Sequence, residues 1–124
     1  MTQLEKALAL HEQLRGKLTI ESKVKVDSRE QLALAYTPGV AEPCKKIRDN
    51  RDDVYTYTMK GNTVAVVTDG TAVLGLGDIG PEAGLQGMEG QAHLFNTFAG
   101  LDAFPICLAP RDTEEILEKV KRID

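Results

Sequence analysis

Apolar residues recur at helical spacing in the first fourteen positions. Leu4, Ala7, Leu8, His11 and Leu14 share one face, and Thr2-x-x-Glu5 in front of them is a capping box. The pattern predicts a helix stopped by Gly16. Residues 17–27 alternate weakly and predict an extended connection. Ser28-x-x-Gln31 opens a short second helix through Ala35, and Pro38-Gly39 turns the chain behind Tyr36-Thr37. Glu42-Pro43 suits the first turn of a third helix running to about Asp49. Val54–Met59 is β-prone, with Tyr55, Tyr57 and Met59 on one side. Lys60-Gly61-Asn62 then signals a tight turn, so this segment is predicted to pair with residues 63–68 as an antiparallel hairpin.

The second half of the chain changes period. Met88, Ala92, Phe95 and Ala99 form one helical stripe flanked by Leu85, Leu94 and Phe98, after a start at Pro81-Glu82. Gly84, Gly87 and Gly90 weaken that helix by up to ~1 kcal/mol each relative to alanine, which points to close backbone packing or a bend. Ala103–Leu108 is a strand that Pro105 places at a sheet edge or strand start. Asp112-x-x-Glu115 opens a last helix with the stripe Ile116, Leu117, Val120 and Ile123. The sequence of elements predicts an α/β fold: a small layered domain, residues 1–124, with a partly parallel sheet. The helix at the end of the chain has no tail after it, as expected of a chain cut at a domain boundary.

Composition narrows the function. The chain has 124 residues, 42% of them hydrophobic, and a net charge of −4 with no Lys/Arg block, which excludes a nucleic-acid footprint. No stretch approaches the ~18 apolar residues of a membrane span, and the N-terminus lacks the form of a signal peptide, so a cytoplasmic location is expected. Cys44 and Cys107 fit no zinc or redox spacing and are predicted to be buried free thiols.

The chemistry concentrates in Val64–Gly80. Gly75-Leu76-Gly77-Asp78-Ile79-Gly80 matches the dinucleotide fingerprint G-x-G-x-x-G. Its context does not. The preceding apolar piece is short, Pro81 delays the helix, and Asp102 precedes the next strand where a ribose-binding acid should follow it. A structural glycine loop and a small-anion loop stay open beside the nucleotide reading. Asp69 and Asp78 flank glycines and suit turn hydrogen bonds. Glu89 and His93, four apart, are too few for a metal site alone.

Ala35-Tyr36-Thr37-Pro38-Gly39-Val40, Thr63–Asp69, Gly70–Gly80 and Met88-Glu89-Gly90 together closely resemble the N-terminal domain of bacterial malic enzymes. The resemblance covers essentially the whole chain. It implies oxidative decarboxylation of malate to pyruvate with NAD or NADP and a divalent metal, Mg or Mn. It also implies that Tyr36 stands at the family's general acid, and that the backbone of Val73, Leu74 and Gly75 is the best candidate for a malate carboxylate contact. The family's general-base lysine follows Met-Glu-Gly, and here that position is Gln91. The metal ligands and the dinucleotide-binding fold belong to a downstream domain absent from this chain. No cofactor or metal is therefore assigned to residues 1–124, and the chain is expected to be inactive alone. Two alternatives stay open: a dimerisation or interaction module, in which a homodimer uses the 86–97 helix face (Gln86, Glu89, His93, Asn96, Thr97), and a small-carboxylate binder.

Overall fold

The computed structural model describes residues 1–109 and 112–123; Asp124, the last residue, lies outside them. In chain order the elements are α1 (Gln3–Leu14), α2 (Arg29–Ala35), α3 (Ala41–Asp49), α4 (Val54–Tyr57), β1 (Thr63–Thr68), α5 (Gly80–Ala99), β2 (Asp102–Cys107) and α6 (Thr113–Ile123). Contacts divide the chain into two units: Met1–Leu18 with Thr63–Asp124, and Thr19–Asn62.

The first unit is built on a β-α-β core. β1 and β2 pair in parallel, in register from Thr63 opposite Asp102 to Thr68 opposite Cys107, and α5 packs across both strands. Two parallel strands need a long crossover between them, and α5 supplies it. The sheet has two strands, so Pro105 does sit on an edge strand. Ala92 on α5 and Ala103 on β2 are the buried apolar side chains among the described residues. The small alanine side chains let the helix lie close on the sheet.

The second unit is helical, and here the hairpin expectation fails. Val54–Tyr57 is helix α4, preceded by a 3-10 turn at Arg51–Asp53 and followed by another at Met59–Asn62. Strand propensity reflects the packing a strand finds more than the backbone itself. Residues 63–68 pair instead with β2, and the helical turns leading directly into them give this segment no extended backbone to pair with. Local polar bonds favour the helical turn instead: Asn50 Nδ2 donates to Asp53, and Thr58 Oγ1 donates to the Val54 carbonyl at 2.6 Å. Tyr55, Tyr57 and Met59 are exposed rather than packed on a sheet.

The caps follow the sequence more closely. Thr2 and Glu5 form the full reciprocal capping box. Ser28 accepts from the Gln31 amide at 3.2 Å, but the Gln31 side chain reaches the Asp27 amide, one residue further out. α1 ends on Arg15 in the left-handed region (φ 59), with Gly16 after it rather than at the cap itself. The apolar stripes diverge most from expectation. All of α1 is exposed except half-buried His11, α6 buries none of its stripe, and Leu94, Phe95 and Phe98 of α5 face solvent.

The two thiols are free, as expected, but neither is buried: Cys44 is exposed on α3 and Cys107 is half-buried at the end of β2. Partial burial, and secondarily the negative charge of Glu82, push the Cys107 thiol up. Less of it is thiolate at neutral pH, so it is the slower nucleophile. Iodoacetamide at neutral pH should alkylate Cys44 several-fold faster than Cys107, as followed by peptide mass spectrometry. Equal rates would show that Cys107 is as open as Cys44.

Candidate functional site

The glycine stretch is a closed loop that hydrogen-bonds to itself. Gly70 and Gly80 adopt positive φ (75° and 86°), and the Gly70 carbonyl accepts from the amides of Ile79 (3.0 Å) and Gly80 (3.2 Å). Within this base, Val73 and Gly77 exchange two 2.8 Å backbone bonds, and Leu76 donates to Val73 at 3.0 Å. Asp69 accepts from the Thr71 amide and hydroxyl at 3.0 and 2.7 Å, the turn role its flanking glycine suggests. Six loop amides are thus committed inside the loop and are not available to cradle a phosphate. The amides of Leu74 and Gly75 make no hydrogen bond among the described residues. Leu74 is 99% exposed at the tip, and Gly75 has open space around it. Of the three glycines that open α5, only Gly84 packs closely, with a Cβ built there meeting the Gly70 Cα at 3.3 Å; Gly87 and Gly90 face open space.

Tyr36 belongs to the second unit and caps α2. Its amide donates to Leu32 at 2.8 Å, and its carbonyl accepts from Val40 at 2.6 Å. The Thr37–Pro38 peptide is cis. Gly39 folds back to donate to the Ala33 carbonyl at 2.7 Å, so close to the carbonyls of Ala33 and Leu34 that a Cβ would overlap them. The fold-back of Gly39 onto Ala33 fixes the end of α2 and leaves Tyr36 65% exposed.

Gln91 lies on α5 in the first unit. It is exposed, and it lines a shallow groove of about 350 Å³ with Leu94, Phe95, Phe98 and Ala99. Glu89 faces elsewhere and accepts from the Lys17 amide at 3.3 Å. The Lys17 ammonium donates to the side-chain and backbone oxygens of Gln86. Lys17, which no sequence motif marks, thereby ties the chain after α1 to α5. Among the described residues no three of His, Cys, Asp and Glu gather as metal ligands.

The sequence over residues 15–122 matches the family model described as malic enzyme, N-terminal domain. The chain is 60% identical over its full 124 residues to the bifunctional malic/malolactic enzyme of Bacillus subtilis, covering 30% of that protein. It is 57% identical over 108 residues (87% of the chain, 23% of the relative) to the NAD-dependent malic enzyme of Geobacillus stearothermophilus. The crystal structure of malic enzyme from Pyrococcus horikoshii superposes with a TM-score of 0.94 at 52% identity, over 98% of this chain and 29% of that one. The chain thus spans less than a third of the length of these relatives. Its α/β architecture and the model match over most of its length lead to one assignment: the chain belongs to the malic enzyme N-terminal domain family.

Proposed function

We propose that residues 1–124 form the substrate-side domain of a malic-type enzyme, holding a malate-like dicarboxylate but not turning it over alone. The observation that carries this is the pair of unpartnered amides at Leu74 and Gly75, on a loop otherwise bonded to itself, in a chain of this family. A rigid loop presenting two free N–H donors offers a carboxylate charge-assisted hydrogen bonds at little ordering cost. Val73, whose amide is spent on Gly77, contributes position rather than a donor. Tyr36 stands at the family's general-acid position, the group that would protonate the enolate left by decarboxylation in a complete enzyme. Gln91 cannot take the hydroxyl proton of malate, because an amide does not bind a proton at physiological pH. Relatives are named NAD- or NADP-dependent malic enzymes. We assign the nicotinamide cofactor and divalent metal to the length of the relatives that this chain does not span.

The test is an amide-resolved NMR titration of the chain with L-malate. Shifts should concentrate at Leu74 and Gly75, and the uncommitted diol ethylene glycol should produce none. Silence at both amides would sink the carboxylate reading. A second reading, an assembly module, is favoured by the exposed apolar faces of α1 and α5. We infer a homodimer, in the cytoplasm; no helix of the described residues is long and apolar enough to cross a membrane.

A further inference from the structure

We propose that Lys17 is a positioning residue for residue 91: it splints the glycine-weakened turn of α5 that carries that position. The helix needs such a support. α5 is anchored in its unit at Gly84, where an added Cβ would meet Gly70, and at the fully buried Ala92. Between those anchors stand Gly87 and Gly90, with nothing within 4 Å of a Cβ built at either. Glycine recovers more backbone freedom on leaving a helix than any other residue, so these are soft positions. By helical register the amide of Gln91 closes onto the carbonyl of Gly87, and that of Gly90 onto the carbonyl of Gln86. The turn that presents residue 91 therefore contains both.

Lys17 spans this turn. Its ammonium donates to the Gln86 carbonyl at 3.4 Å and to the Gln86 side chain, and its amide donates to Glu89 Oε1 at 3.3 Å. These bonds grip α5 on either side of Gly87. Among the described residues they are the hydrogen bonds that reach residues 86–91 from outside the helix. The chain is shaped to deliver them. Arg15 (φ 59°) and Gly16 (φ 97°) bend it after α1, and a Cβ on Gly16 would stand 2.8 Å from the Glu89 carboxylate. Lys17 is half-buried there, as a lysine can be when its ammonium is paired. At 100° per residue, Gln86 and Glu89 lie about 140–160° around α5 from residue 91. The splint thus holds the turn from behind and leaves position 91 open.

The positioning role rests on the reading of position 91 as the base position, and the experiment separates their failures. Amide hydrogen exchange is followed by NMR, residue by residue, in the parent, Lys17→Met, Lys17→Arg and Lys17→Met/Gly87→Ala chains. Methionine keeps the bulk of the side chain and removes its ammonium. Exchange at Gly90 and Gln91 should be about tenfold faster in Lys17→Met, as fits the loss of a charged hydrogen bond from a locally opening turn, with the amides of β1 and β2 unchanged. Lys17→Arg should keep the parent rate. Gly87→Ala stiffens the same turn from within, so it should slow the Lys17→Met exchange most of the way back. In the Gln91→Lys form, carried in the Bacillus subtilis relative, Lys17→Met should lower kcat about tenfold with KM little changed, and Gly87→Ala should recover it. Unchanged exchange at residues 87–91, or exchange equally faster in β1 and β2, would overturn the splint. A local exchange effect without loss of kcat would overturn the positioning role. An inactive Gln91→Lys form that still shows the local exchange effect would overturn the base reading of position 91 and leave the splint standing.

Discussion

Lysine at position 91 is expected to restore malate turnover by roughly 10²–10⁴-fold, the usual contribution of a positioned general base. The assay places this chain in the Bacillus subtilis relative in exchange for its matching segment, to which it is 60% identical throughout. NAD(P)H absorbance with L-malate and Mn²⁺ then compares the Gln91 and Gln91→Lys forms. The loss with Gln91 should fall on kcat, with KM little changed, because an amide can still hydrogen-bond the substrate hydroxyl but cannot remove its proton. A lysine acts as a base only as the free amine, so its proton must leave before it can take one from the substrate hydroxyl. In the lysine form kcat should therefore rise with pH as that amine loses its proton. Gln91→Arg is the decisive control. It supplies the charge but stays protonated, so it should remain inactive. A Gln91 chimaera as active as the lysine form would show that the base lies elsewhere.

The local signals in this sequence translated well because they are satisfied within a few residues. Thr2 and Glu5 meet their partners three positions away, and Pro81 opens a helix that Gly100, at φ 65°, closes. Val54–Met59 was not legible. Its aromatic and β-branched residues suit a strand, but local polar bonds from Asn50 to Asp53 and from Thr58 to Val54 close helical turns there, and β1 pairs far downstream instead. The apolar stripes were legible as pattern but not as packing. Leu4, Leu8 and Phe98 look like core in sequence, yet among the described residues nothing covers them, because a period marks a face and not what covers it. At the candidate site, the sequence could mark the glycines. It could not show that Val73 spends its amide while Leu74 and Gly75 keep theirs, since that depends on the Val73–Gly77 bridge.

That bridge depends on the loop base, so the largest stability effect is expected at Gly70. Gly70→Ala should destabilise the first unit by about 3–4 kcal/mol, a large part of the ~5–15 kcal/mol that holds a domain folded. Two costs combine. The residue sits at φ 75°, where a Cβ costs roughly 1–2 kcal/mol. That Cβ would also overlap the carbonyl of Gly80, a backbone group that cannot swing aside. Retreat of Gly80 would break the bonds from Ile79 and Gly80 to the Gly70 carbonyl, each worth about 1 kcal/mol net. Gly87→Ala provides the contrast. It is helical with nothing within 4 Å of a new Cβ, so alanine there should stabilise by up to about 1 kcal/mol. Urea unfolding followed by circular dichroism reads both. A Gly70→Ala chain within 1 kcal/mol of the parent would mean that the loop base yields freely. A soft base could not hold Leu74 and Gly75 ready for a carboxylate, so that outcome would also remove the preorganisation on which the proposed substrate contact depends.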